Sequence, residues 1–297
     1  CDRSAKLRDR EQLDGHRRRL KVQSIDPVLP HLQGVKHLVV LPAGWMSRVP
    51  IETLTDEYVI SYAPSGTMYT WLTEQGKAAR QRRQDEASSA PTILAIGDPV
   101  LERPSQVASA KQSTSGDTSR EAGSLDELLS NLTRGEQWNR LLNSGEEVEA
   151  IKGTFDKASR RARSTDASTE SLFLLRSNAS ERKLDALAQA GELARFRYLH
   201  FATHGSMDDQ VAMRSALILA QDDISEDENF ERAVEGKVVY DGRLTADNIV
   251  KTWKLDADLV TLSACKTALG KQAGGEGYLG FSQAFFVAGA RSLVLSL

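Results

Sequence analysis

Short, almost uninterrupted apolar runs constrain this chain most. "VKHLVVL" (35–41), "PTILAIGDP" (91–99), "SLFLL" (171–175), "FRYLHFA" (196–202), "SALILA" (215–220), "ADLVTLSA" (257–264) and "RSLVLSL" (291–297) are each of strand length and rich in Val, Ile, Leu or Phe. A strand with one wet face alternates apolar and polar residues, whereas these runs hardly alternate, so both of their faces are expected to be covered. Helical patterns fall between them. "SERKLDALAQAG" (180–191) has Ser180 as N-cap and Gly191 at its C-terminal end, and Ser144 stands three residues before Glu147, a capping-box spacing, in "SGEEVEAIKGTF". "PSGTMYTWLTEQG" (64–76) starts on Pro and ends on Gly, and "LTADNIVKTW" and "GEGYLGFSQAFFVAGA" complete the set. Alternating buried strands and helices predict an α/β fold, a mainly parallel sheet with helices on both faces. Phe281, Phe285 and Phe286, at helical spacing, are expected in its core. Residues 1–34 read as a charged helical lead-in and 35–297 as the main domain, with "KAARQRRQDEASSA" a solvated helix end or linker, "SRRARSTDASTE" a polar linker, a loop over 100–123 and an acidic insertion over 221–236.

Composition excludes several classes of function. A formal net charge of -3 gives no global attraction to nucleic acid or anionic membranes. "HRRRLK" (16–21) has no interleaved aromatics and reads as a solvated helix face. No apolar run approaches the roughly 20 residues that span a bilayer. Two cysteines, Cys1 and Cys265, build neither a disulfide framework nor a thiolate zinc site, and a reducing, cytoplasmic setting is expected. "AIGDP" and "GGEGYLG" lack the spacing of phosphate-binding loops. No cofactor or metal is expected.

Function in parallel sheets gathers at the C-terminal strand ends. Two ends carry reactive residues: "YLHFA" opens into Thr203-His204-Gly205, and "LVTLSA" into Cys265-Lys266-Thr267. A thiol is largely protonated at neutral pH and needs an imidazole to act as a nucleophile. Gly205, without a Cβ, admits substrate close to the main chain, and the N–H groups of Gly205 and Cys265 are candidates for an oxyanion hole. His200 and His204 in one strand lie about 13 Å apart, too far to share a metal, and His200 reads as a core histidine.

These residues carry a resemblance. "HFATHG", "LSACKT" and "GEGYLGFSQAFFVAGA", with "HLVVLPAGWMSRVPIETL", "ILAIGDP" and "DGRLTADNI", are similar to the CHAT domain, a caspase-like cysteine peptidase module found behind tetratricopeptide repeats. The resemblance implies a caspase-like α/β/α sandwich and a His–Cys dyad at His204 and Cys265. It also implies a protein substrate, a regulatory helical-repeat domain or partner, and a chain that stops short of the family's usual C-terminal end. A caspase pocket for aspartate uses a glutamine two residues before the cysteine, a position held here by Ser263. With Asp208, Asp209 and Glu276 as the other pocket candidates, cleavage after Arg or Lys is expected. The contrasting expectation is a scaffold module that keeps the fold without catalysis.

Overall fold

A computed structural model of the chain describes residues 2–42, 49–85, 91–102, 138–162, 171–208, 210–237, 239–263 and 276–295. Contacts divide it into two compact units, 1–77 and 78–297. The first holds helix α1 (Asp2–Ser24) and two parallel strands, β1 (His37–Val40) and β2 (Val59–Tyr62). Its small core is Ile25, Ile51 and Leu54 with Leu20, Val40 and Ile60. Helix α2 (Gly66–Asp85) crosses the division between the units. It runs past Gly76, the helical of the two readings open for the polar stretch that follows: the Lys, Arg and Gln residues there are good helix formers and carry the helix through a single glycine.

The second unit is built on five parallel strands in the order β10-β9-β5-β3-β4. They are β3 (Ile93–Pro99), β4 (Leu172–Arg176), β5 (Tyr198–Ala202), β9 (Leu259–Leu262) and β10 (Leu293–Leu295). Every residue of β3 is buried, the apolar run Ile93–Ile96 as its pattern requires and Asp98 with it. One face packs on α3 (Leu142–Ala162), where Val148, Ile151 and Phe155 meet Ile93, Ala95 and Ala202. The other face holds the larger core: Leu94, Ile96, Leu199, Phe201 and Val260 against α4 (Glu181–Gln189), α6 (Ala246–Thr252) and α7 (Glu276–Ala288). Phe285 is central there, with ring centroids 5.9 Å from Phe201, 6.1 Å from Trp253 and 6.4 Å from Phe281. The expected α/β/α arrangement around a mainly parallel sheet is therefore the one observed.

Short antiparallel strands β6 (His204–Ser206), β7 (Ala216–Ile218) and β8 (Arg243–Thr245) form a separate sheet. The polar insertion over 221–236 is largely helical, α5 (Glu226–Val234), because Ser225 caps it by accepting the Glu228 N–H. The expected linker at "SRRAR" is occupied to Ala162 by the end of α3. The loop expected over 100–123 lies outside the described residues from 103 onward.

Candidate active site

Strand order locates the crevice. β3 and β4 lie to one side and β5, β9 and β10 to the other, so the chain reverses its winding between β3 and β5. At such a switch point the loops leaving the two strand ends diverge and open a cleft. Asp98 lies at the end of β3 and His204 lies just past β5. β5 ends at Ala202, Thr203 makes a bend, and His204 starts β6 in the small sheet, so His200 and His204 belong to different strands.

His204 is half-buried, and its Nε2 lies 2.6 Å from the main-chain oxygen of Asn139. A carbonyl only accepts, so Nε2 carries the hydrogen and donates it, leaving Nδ1 with the lone pair. The Trp138 ring packs on the imidazole, centroids 4.9 Å apart and tilted by 37°. Neither Trp138 nor Asn139 stands out in the sequence. A main-chain carbonyl has no residue signature, and the one available signal was an aromatic residue just ahead of α3 in "QWNRLLNSGEE".

Gly205 pairs with Leu217 across β6 and β7. Hydrogen bonds from Leu219 N to Gly242 O and from Ala246 N to Ser215 O set the alternation in β7, so that Leu217 bonds toward β8. His204 and Ser206 then make the rungs to β7, and the Gly205 N–H points away from it, toward the outer edge of β6.

The 138–144 segment is firmly tied. Asp98 receives Arg140 Nε and Nη2 at 2.7 and 2.6 Å, and its own N–H donates to Ser144 Oγ at 2.8 Å. The guanidinium of Arg140, followed by that of Arg176, holds the Asp98 carboxyl below its ordinary range. Ser144 is thus within the first turn of α3, bonded to Asp98 and to Leu141 O, and does not form the capping box that its spacing to Glu147 suggests.

Glu147 instead faces the sheet. Its Oε2 accepts from Ser263 Oγ at 3.2 Å, and its Oε1 lies 3.0 Å from His200 Nε2, a close approach but misaligned for a hydrogen bond. His200 is buried between β3 and β9, as a core histidine should be, and burial lowers its pKa despite Glu147.

Of the remaining pocket candidates, Asp208 accepts the N–H groups of Val211 and Gln210 through Oδ1, which lowers its pKa and ties it into a turn. Glu276 opens α7, and Asp209 and Cys265 lie outside the described residues. Among the described residues no three His, Cys, Asp or Glu side chains converge as a metal site, and no helix is long and apolar enough to cross a membrane.

No curated protein and no solved structure matches the chain significantly. The family model for the CHAT domain matches residues 16–297, nearly the whole length. The chain belongs to the CHAT domain family, within the clan of caspase-like cysteine peptidases.

Proposed function

We propose that the protein is a cysteine endopeptidase in which Cys265 is the nucleophile and His204 its acid–base partner. The shared register of β5 and β9 carries this reading. Tyr198 pairs with Leu259 and Phe201 with Leu262, and Ser263 N donates to Phe201 O at 2.8 Å as the last rung before the loop. β5 and β9 are thus neighbours, and in the sequence His204 follows the end of one by two residues and Cys265 the end of the other by three.

In the reaction His204 Nδ1 takes the thiol proton while Nε2–H stays on the Asn139 carbonyl. The thiolate attacks the scissile carbonyl, and the Gly205 and Cys265 N–H groups stabilise the oxyanion. Collapse expels the amine, which receives the proton from Nδ1, and leaves a thioester. Water then gives its proton to Nδ1 as it attacks the thioester, releasing the acid and restoring the thiol.

Cleavage after Arg or Lys fits the half-exposed Glu147 carboxylate bonded to Ser263, two residues before Cys265. A helical-repeat domain or partner, common alongside CHAT domains, would gate the site. Cys265→Ala and His204→Ala should each abolish peptide cleavage by a chain that remains folded, and a positional-scanning library should favour Arg or Lys before the scissile bond. Near wild-type turnover by Cys265→Ala would overturn Cys265 as the nucleophile, and no cleavage by the wild type, assayed with and without the repeat domain, would leave the scaffold reading in its place.

A further inference from the structure

We propose that Asp98 is a positioning residue for the His204 imidazole, acting through Arg140 on the peptide plane that presents the Asn139 carbonyl. The proposal rests on the role given to His204 above. The Asn139 carbonyl and the Arg140 N–H belong to one planar peptide group, so a restraint on Arg140 limits how that carbonyl can turn. Asp98 holds it with a two-pronged carboxylate–guanidinium pair, a geometry that restrains orientation as well as distance. Arg176 Nη1 supports the same carboxylate at 3.3 and 3.4 Å.

The backbone is bent to make this clamp. Asp98 has φ 44° and Arg176 φ 56°, left-handed conformations that L residues rarely adopt. The β3–β4 register shifts between Gly97 and Pro99, at Asp98. A Cβ on Gly97 would lie 2.8 Å from the Ser144 carbonyl oxygen, so glycine lets the start of α3 press onto the strand. Ser144 Oγ then donates to Leu141 O at 2.7 Å, fixing the residue on the far side of Arg140.

Stability alone is a poor reason for this arrangement. The Asp98 side chain is 8% exposed, but those of Arg140 and Arg176 are 47% and 46% exposed, and half-exposed pairs stabilise a fold little. What the clamp does restrain is the carbonyl beside His204, hence which imidazole nitrogen carries the hydrogen and where Nδ1 points.

The test reads the tautomer directly, from side-chain ¹⁵N shifts of the full chain, with His204 assigned by its loss in His204→Gln. The wild type should show neutral His204 as the Nε2–H tautomer. Asp98→Asn and Arg140→Gln should each mix in the Nδ1–H form, and kcat should drop between about 10- and 100-fold with KM little changed. Arg197→Gln, which breaks the ion pair with Asp258 at the other end of β5, should leave the tautomer alone. An unchanged tautomer in folded Arg140→Gln, or an equal change in Arg197→Gln, overturns the proposal. Arg140 is exposed enough for its variant to fold even where Asp98→Asn does not. The NMR signature needs no turnover, so a chain that cleaves nothing would sink the peptidase reading while this test stayed readable.

Discussion

His204 and Asn139 are 65 residues apart in the chain, yet Nε2 of one lies 2.6 Å from the carbonyl oxygen of the other. The contact commits the imidazole to one tautomer and leaves Nδ1 as the nitrogen available to a thiol.

Thiol reactivity should report that pairing. In a Cys1→Ser background Cys265 is the single cysteine, so iodoacetamide uptake reads it alone. At pH 6.5 His204→Gln should slow alkylation at least about tenfold, because a thiolate paired with an imidazolium persists where a free thiol is protonated. Equal rates in the two proteins would argue against a functional pair.

Glu181 should make stability depend on pH. Its buried carboxylate accepts the N–H groups of Asp241 and Gly242, but burial, followed by the charge of Asp241, pushes it from an ordinary 4.5 up to about 7. The folded chain therefore holds this proton more tightly than the unfolded one. The associated stability is complete below about pH 4.5 and is lost as pH rises through 7, on the order of 3 kcal/mol in total. Urea midpoints at pH 5 and pH 8 should differ less in Glu181→Gln than in the wild type; an identical difference would contradict this assignment.

His200 should act in the opposite direction. Burial depresses the imidazole, so the unfolded chain binds the proton more readily. Stability from the neutral ring is present above about pH 6.5 and is lost as pH falls through the lower folded value. In His200→Gln, thermal melts between pH 7 and pH 5 should show a shallower acid decline. A decline as steep as in the wild type would assign it to other groups.

Two glycines near α3 should respond oppositely to alanine. On Gly97 a Cβ would lie 2.8 Å from both the Ser144 oxygen and Val148 Cγ2, so Gly97→Ala should destabilise by about 1–3 kcal/mol. A Cβ on exposed, helical Gly153 meets nothing within 4 Å, so Gly153→Ala should stabilise by about 0.5–1 kcal/mol. Denaturant titration measures both, and a stabilised Gly97→Ala would show that α3 does not press on β3 as described.

Local chemistry was readable wherever it was decided by neighbours in the chain. Ser180 caps α4 by accepting from Lys183 N, and Gly191 takes the left-handed conformation beyond that helix, as their types predict. Errors arose where the same residue had a distant partner to choose. Ser144 has the spacing of a cap but bonds to Asp98, 46 residues earlier, and Glu147 turns to Ser263, 116 residues later. The sequence leaves the continuation of α2 past Gly76 open and does not show the helix in the acidic insertion, because composition marks a segment as polar without saying whether it is coiled.

By itself, then, the sequence determined the fold class. Nearly continuous apolar runs cannot leave a face in water, and amphipathic helices between them must cover both faces. It also singled out His204, Gly205 and Cys265 as residues following apolar strands. Only tertiary structure decided that β5 lies between β3 and β9, that β5 yields to a second sheet at His204, and that Asn139 supplies the carbonyl against Nε2. The physical reason is that strand order and main-chain partners depend on which surfaces meet. A carbonyl is the same group at every residue, and its role appears only when the chain has brought a histidine to it.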